Sequence, residues 1–124
     1  MNIIHTEQAP AAIGPYSQAI TVGGLVFTSG QIALDPATGS LCGISVEAQT
    51  RQVLENLSAI LQAAGSDLAH VVKTTCFLKH ISDFAVFNSV YETYFPGKPA
   101  RSCVEVAALP KGALVEVEAV AELC

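Results

Sequence analysis

Between Ser45 and Gly65 the apolar residues Val46, Val53, Leu54, Leu57, Ile60, Leu61 and Ala64 recur at helical spacing, with Gln52, Glu55, Asn56 and Gln62 on the other side. Ser45 stands where an N-cap belongs, Glu47 falls in the first turn, and Gly65 follows as a stop. This predicted helix constrains the fold because β-rich runs lie on both sides of it. Residues 17–22 and 25–29 are apolar and strand-like, and Gly23-Gly24 between them signals a hairpin. Asp35-Pro36-Ala37-Thr38-Gly39 reads as a turn or loop. Val71 to Leu78 has strand length and β-branched content, with Lys73 and Lys79 marking a wetter side. Ser82-Asp83 is placed to cap a second helix with the apolar stripe Phe84, Phe87, Val90, Tyr91 and Tyr94. Pro96-Gly97 ends that helix, and Pro99 keeps the chain extended.

Two alternating runs close the chain. In one, Arg101, Cys103 and Glu105 share a face opposite Ser102, Val104 and Val106. In the other, Glu116, Glu118 and Val120 oppose Val115, Val117, Ala119 and Ala121. The connection through Pro110, Lys111 and Gly112 fits either a hairpin or a step across another strand. The order β-β-α-β-α-β-β predicts an α+β domain over residues 1–124, a mixed sheet with two helices on one face. The other sheet face is then bare. Only 14% of the residues are charged and 51% are hydrophobic, so that face is expected to meet another subunit.

Composition excludes several function classes. A net charge of −5 with scattered Lys and Arg argues against a phosphate-tracking surface, hence against nucleic acid as partner. No apolar span suits a membrane, and the start Met1-Asn2-Ile3-Ile4-His5-Thr6-Glu7 lacks a secretory pattern, so a cytoplasmic protein is expected. Cys42, Cys76, Cys103 and Cys124 form no Cys-x-x-Cys pair and read as free thiols. His5, His70 and His80 are far apart in sequence, so no metal site is expected.

The chemistry is expected near the end. Arg101 sits in a strand-like run of a chain with only six Lys and Arg. A guanidinium keeps its charge and grips a carboxylate with a two-pronged set of donors. Glu116, if desolvated at a seam, can exchange protons with water near neutral pH, whereas Glu118 has the pattern of an ordinary solvent-side glutamate. Cys103 shares the Arg101 face but has no histidine near it in sequence, so it reads as a pocket residue rather than a nucleophile. Gly30, after Ser29 at a strand end, lets backbone approach a ligand closely, and Gly14-Pro15-Tyr16 reads as pocket wall. Asn88 lies mid-helix with an amide that needs partners. No dinucleotide or phosphate-loop fingerprint and no Ser-His-Asp order is visible.

In order and spacing, these segments resemble the RidA family of imine deaminases, also called YjgF. The likeness runs through 9–18, Phe27-Thr28-Ser29-Gly30-Gln31-Ile32, Val71-Val72-Lys73-Thr74-Thr75, Asp83-Phe84-Ala85, Pro99-Ala100-Arg101-Ser102-Cys103-Val104-Glu105-Val106, Leu109-Pro110-Lys111-Gly112 and Glu116-Val117-Glu118-Ala119. The resemblance implies a chorismate-mutase-like fold and a homotrimer with clefts between subunits. It implies cofactor-free hydrolysis of 2-iminobutanoate, 2-iminopropanoate and similar 2-imino acids to 2-keto acids and ammonia, which protects pyridoxal-phosphate enzymes. It also implies a catalytic group of Arg101 as carboxylate anchor, Glu116 as water activator and Cys103 in the pocket, with Tyr16, Ser29, Gly30 and Asn88 lining it. Two segments depart from the family pattern. The stretch before Pro99 is short, and the ending Ala121-Glu122-Leu123-Cys124 adds a thiol. Two other readings are a keto-acid-binding module that regulates a metabolic enzyme and a ribonuclease, the latter opposed by the charge.

Overall fold

The computed structural model describes residues 1–124. Strands β2 (Ala19–Val22) and β3 (Leu25–Thr28) pair antiparallel with Val22 opposite Leu25. Gly23 and Gly24 therefore make a two-residue turn, with φ of +58° and +80°. Glycine supplies those two left-handed positions without steric cost. A short strand β1 (Asn2–Ile4) lies along the outer edge of β2. It had no signal in the sequence, because three residues are too few to display a period. Buried Gln18 ties the segment after it: its amide accepts from the Thr6 N–H at 2.7 Å and donates to the Pro10 carbonyl at 2.8 Å.

Helix α1 (Val46–Ala63) forms as expected, and the Ser45 hydroxyl accepts from the Ala48 N–H. Gly65 follows at φ +87°. Val53, Leu54, Leu57, Ile60 and Leu61 are fully buried and face Val26, Cys76, Leu78, Val115, Val117 and Ala121 in one apolar cluster. Each such aliphatic side chain stabilises by about 1.5–3 kcal/mol on leaving water. Leu57→Ala is expected to cost about 2–5 kcal/mol, read as a lower urea midpoint at unchanged m value. One assignment needs correction. Asn56, expected on the wet side of the helix, is buried. Its amide donates to the carbonyls of Leu34 at 2.9 Å and Ile32 at 3.3 Å, and accepts from Gln52. The loop after β3 thus covers a helix side that its polarity had assigned to solvent.

Strand β4 (Val71–Leu78) is followed by helix α2 (Phe84–Tyr94), which buries Phe87, Val90 and Tyr91. Asp83 precedes α2 without a side-chain cap, contrary to expectation. The tight turn Ile81–Asp83 leads in instead, and the Glu105 carboxylate accepts from the Ile81 N–H at 2.8 Å. Strands β5 (Ala100–Glu105) and β6 (Val115–Glu122) complete the sheet in the order β1-β2-β3-β6-β4-β5. The last connection is a step, not a hairpin: β6 runs between β3 and β4, and β5 lies at the edge parallel to β4. The α+β mixed sheet of the sequence reading is therefore what forms.

Register assigns each residue to a face. Val115, Val117, Ala119 and Ala121 of β6 are buried under the helices. On the bare face, Ile20 lies opposite Phe27 and Phe27 opposite Val120. A second row there joins Glu116, Phe77 and Val104 across β6, β4 and β5. Val22, Phe27 and Val104 are each more than 40% exposed, so the uncovered face is apolar over several strands.

Candidate active site

Arg101 lies on β5 opposite Thr74, on the helix side of the sheet. Asn88 and Tyr91 rise to it from α2, and Phe84 stands one turn before Asn88. The guanidinium carbon sits 4.8 Å from the Tyr91 ring centre and 5.4 Å from that of Phe84. Its Nη1 donates to the Asn88 Oδ1 at 2.7 Å, which gives the mid-helix amide its partner. The Tyr91 hydroxyl is fixed in turn by buried Thr74 at 2.7 Å. The ion pairs of the chain are Arg51–Glu47 and His70–Asp67, so no carboxylate neutralises Arg101. A half-buried guanidinium stacked on an aromatic, with most donors unused, can receive an anion. Cys103 lies two residues along β5. Burial raises its thiol pKa and Arg101 only partly offsets this, so the thiol stays protonated at neutral pH.

Glu116 lies on the other face. It borders a hollow of about 600 Å³ that also takes in Tyr16, Ser29, Gly30, Lys111 and Glu118. Burial first, and the Glu118 charge second, push its carboxyl pKa above the ordinary glutamate value. Ser29 spends its hydroxyl proton on the Ser17 carbonyl, leaving the oxygen as an acceptor toward the hollow. Gly30 is required by space: a Cβ there would collide with the Glu116 Oε2 and lie 2.9 Å from its Cδ. The space beside this glycine, expected to admit a ligand, is taken by the Glu116 carboxyl. Gly30→Ala is expected to cost only about 1–3 kcal/mol of stability, since the far end of a flexible side chain gives way. A urea midpoint lowered by no more than that at unchanged m value checks it.

The sequence residues therefore fall into two groups. Arg101, Asn88 and Cys103 gather on the helix side at the β5 edge. Tyr16, Ser29, Gly30 and Glu116 gather on the bare face. Within one chain Arg101 and Glu116 share no hollow. Sequence reasoning missed three contributors: Tyr91 and Phe84, assigned to the apolar stripe, and Lys111 at the rim of the hollow. A signal for the first two existed. Phe84, Asn88 and Tyr91 are spaced i, i+4, i+7, and so share one helix face with the amide that holds Arg101.

Six mixed strands with both helices on one face and an unneutralised guanidinium at the edge define a class: an anion-receptive α+β protein. The profile of the Endoribonuclease L-PSP family matches residues 6–123. The chain belongs to that family, also called the RidA or YjgF family. The 2-iminobutanoate/2-iminopropanoate deaminase of Salmonella typhimurium is 53% identical over 122 residues, covering 95% of this chain and 94% of that protein. A Lactococcus lactis protein named as a regulator, AldR, is 55% identical over 99% of this chain and 98% of its own length. The crystal structure of E. coli TdcF with bound serine superposes with a TM-score of 0.95 at 44% identity, covering 100% of both chains.

Proposed function

We propose that this protein hydrolyses small 2-imino acids to 2-keto acids and ammonia, in sites that each copy completes for its neighbour within a homotrimer. The observation that carries the reading is the Arg101 guanidinium, held by Asn88 and Tyr91 with no acid partner in its own chain. The family relationship and the deaminase relative support it. TdcF, crystallised with serine, is a relative that binds a small amino acid. The apolar bare face and the edge position of β5 support a second copy docking so that one chain's Arg101 reaches the other's Glu116 hollow.

In such a site Arg101 holds the substrate carboxylate and Asn88 keeps the fork oriented. Tyr16, Ser29 and Gly30 line the space around the reacting carbon. The protonated C=N carbon is electrophilic, so water suffices as nucleophile. Glu116 takes a proton as water adds and returns it to the nitrogen as the carbinolamine C–N bond breaks, giving keto acid and ammonium. No cofactor enters these steps. Cys103, protonated, lines the anchor side without attacking. Removal of such imines protects the pyridoxal-phosphate enzymes that release them, and six Lys and Arg against 11 acids suit neither RNA binding nor RNA cleavage.

The test is direct. A pyridoxal-phosphate dehydratase generates 2-iminobutanoate, and purified protein is expected to accelerate appearance of the keto acid well beyond spontaneous hydrolysis. The AldR relative motivates a second reading, a keto-acid-binding regulator. Binding of 2-ketobutyrate without any acceleration would select it.

A further inference from the structure

Away from both half-sites, three metal-ligating side chains of different chemistry meet at one corner of the fold. Asp67, His70 and Cys124 each offer a ligand atom, and these atoms lie within 4.8 Å of one another. We propose that they form a site for a borderline-soft divalent cation of the zinc class.

Each member is held in place by the fold. The Asp67 carboxylate caps the tight turn Leu68–His70, accepting from the His70 N–H at 3.1 Å. The same oxygen lies 2.7 Å from the His70 Nδ1. Nδ1 and this oxygen are thus placed to turn toward one ion in place of the proton they share. Cys124, just beyond β6, is anchored by its N–H to the Gly65 carbonyl at 2.9 Å, with Leu123 bound to Gly24. Its Sγ then stands 3.9 Å from the Nε2 and 3.6 Å from the Nδ1. With ordinary zinc bond lengths and tetrahedral angles, sulfur and nitrogen ligands of one ion lie roughly 3.6 Å apart. The existing spacing is therefore close to that of an occupied site, and movement of exposed side chains closes the rest. The Asp67 oxygen is the third ligand, and water takes the open position. On ligation the Cys124 thiol releases its proton to solvent as the metal–sulfur bond forms, and the imidazole proton passes through water from Nδ1 to Nε2, so that the neutral ring binds through Nδ1. Glu122, whose charge is felt at His70, adds to the negative field that attracts a cation.

Sequence spacing gave no hint of this site, because His70 and Cys124 are 54 residues apart. It lies at the far end of β6 from Glu116, roughly 20 Å along the strand, so it stands apart from the imine chemistry.

The experiment is a titration of the full chain with Co²⁺ and then Zn²⁺. One equivalent of cobalt is expected to produce a thiolate-to-metal charge-transfer band, which zinc abolishes by displacement. Cys124→Ser should remove the band, and Cys42→Ser should keep it. His70→Ala and Asp67→Asn should each weaken zinc affinity tenfold or more in competition with a chelating dye, while circular dichroism confirms the fold. A cobalt band that persists in Cys124→Ser, zinc affinity unchanged in His70→Ala, or no uptake by the unmodified protein would each overturn the proposal.

Discussion

Arg101→Ala is expected to lower kcat/KM for freshly generated 2-iminobutanoate by about 10²–10³-fold or more, the loss that follows from deleting one partner of a desolvated charge pair. The fold should survive, because Arg101 is half-buried at an edge strand and makes no ion pair that its removal would orphan. The placement of the two half-sites adds a sharper expectation. Arg101→Ala and Glu116→Gln chains, each inactive alone, should restore one another when co-assembled. In the proposed homotrimer, random mixing gives each seam about a one-in-four chance of receiving both intact groups, so roughly a quarter of full activity should return. No recovery in demonstrably mixed trimers would mean that Arg101 and Glu116 do not serve a common site.

Glu116→Gln is expected to reduce kcat by about 10²–10⁴-fold while leaving keto-acid affinity nearly unchanged, because the amide keeps the shape and loses the proton. The acidic limb of the kcat profile in the unmodified protein should lie above the usual glutamate range, since burial and Glu118 raise this carboxyl's pKa. The stability sign follows from the same cause. A carboxyl with a raised folded pKa stays protonated in the folded state at pH values where the unfolded chain has ionised. Stability is then lost as pH rises from the unfolded value through the folded one. Glu116→Gln escapes that loss, so the variant should be more stable than the parent at neutral pH and lose the advantage in acid. Urea midpoints at the two pH values check it. A variant with lower affinity and unchanged kcat would remove Glu116 from proton transfer.

Much of the architecture was legible because it rests on local rules. Gly23-Gly24 occupies two left-handed positions that other residues avoid, so the hairpin announced itself. The α1 stripe and the β6 alternation are periodic over many residues, which makes their buried faces readable. Legibility failed where a distant segment supplied the environment. Asn56 looked like a wet-face residue until the Ile32–Leu34 backbone came down on it. The path of β6 between β3 and β4 depended on pairing partners that no periodicity names. The candidate site divides in the same way. Arg101 and Glu116 stood out as charged residues in apolar runs, whereas Tyr91 passed for core because its ring is buried and only its stacking on Arg101 gives it a second role.

By itself, the sequence determined the helix and strand periods and singled out Arg101 and Glu116 as charged residues in apolar runs, since backbone period and side-chain type are local properties. Tertiary structure decided what those residues meet. It put Arg101 under α2 and Glu116 on the bare face, seated the Glu116 carboxyl over Gly30, and carried Cys124 to His70. Each of these depends on strand order and register, which are set by how the whole apolar core packs rather than by any one segment.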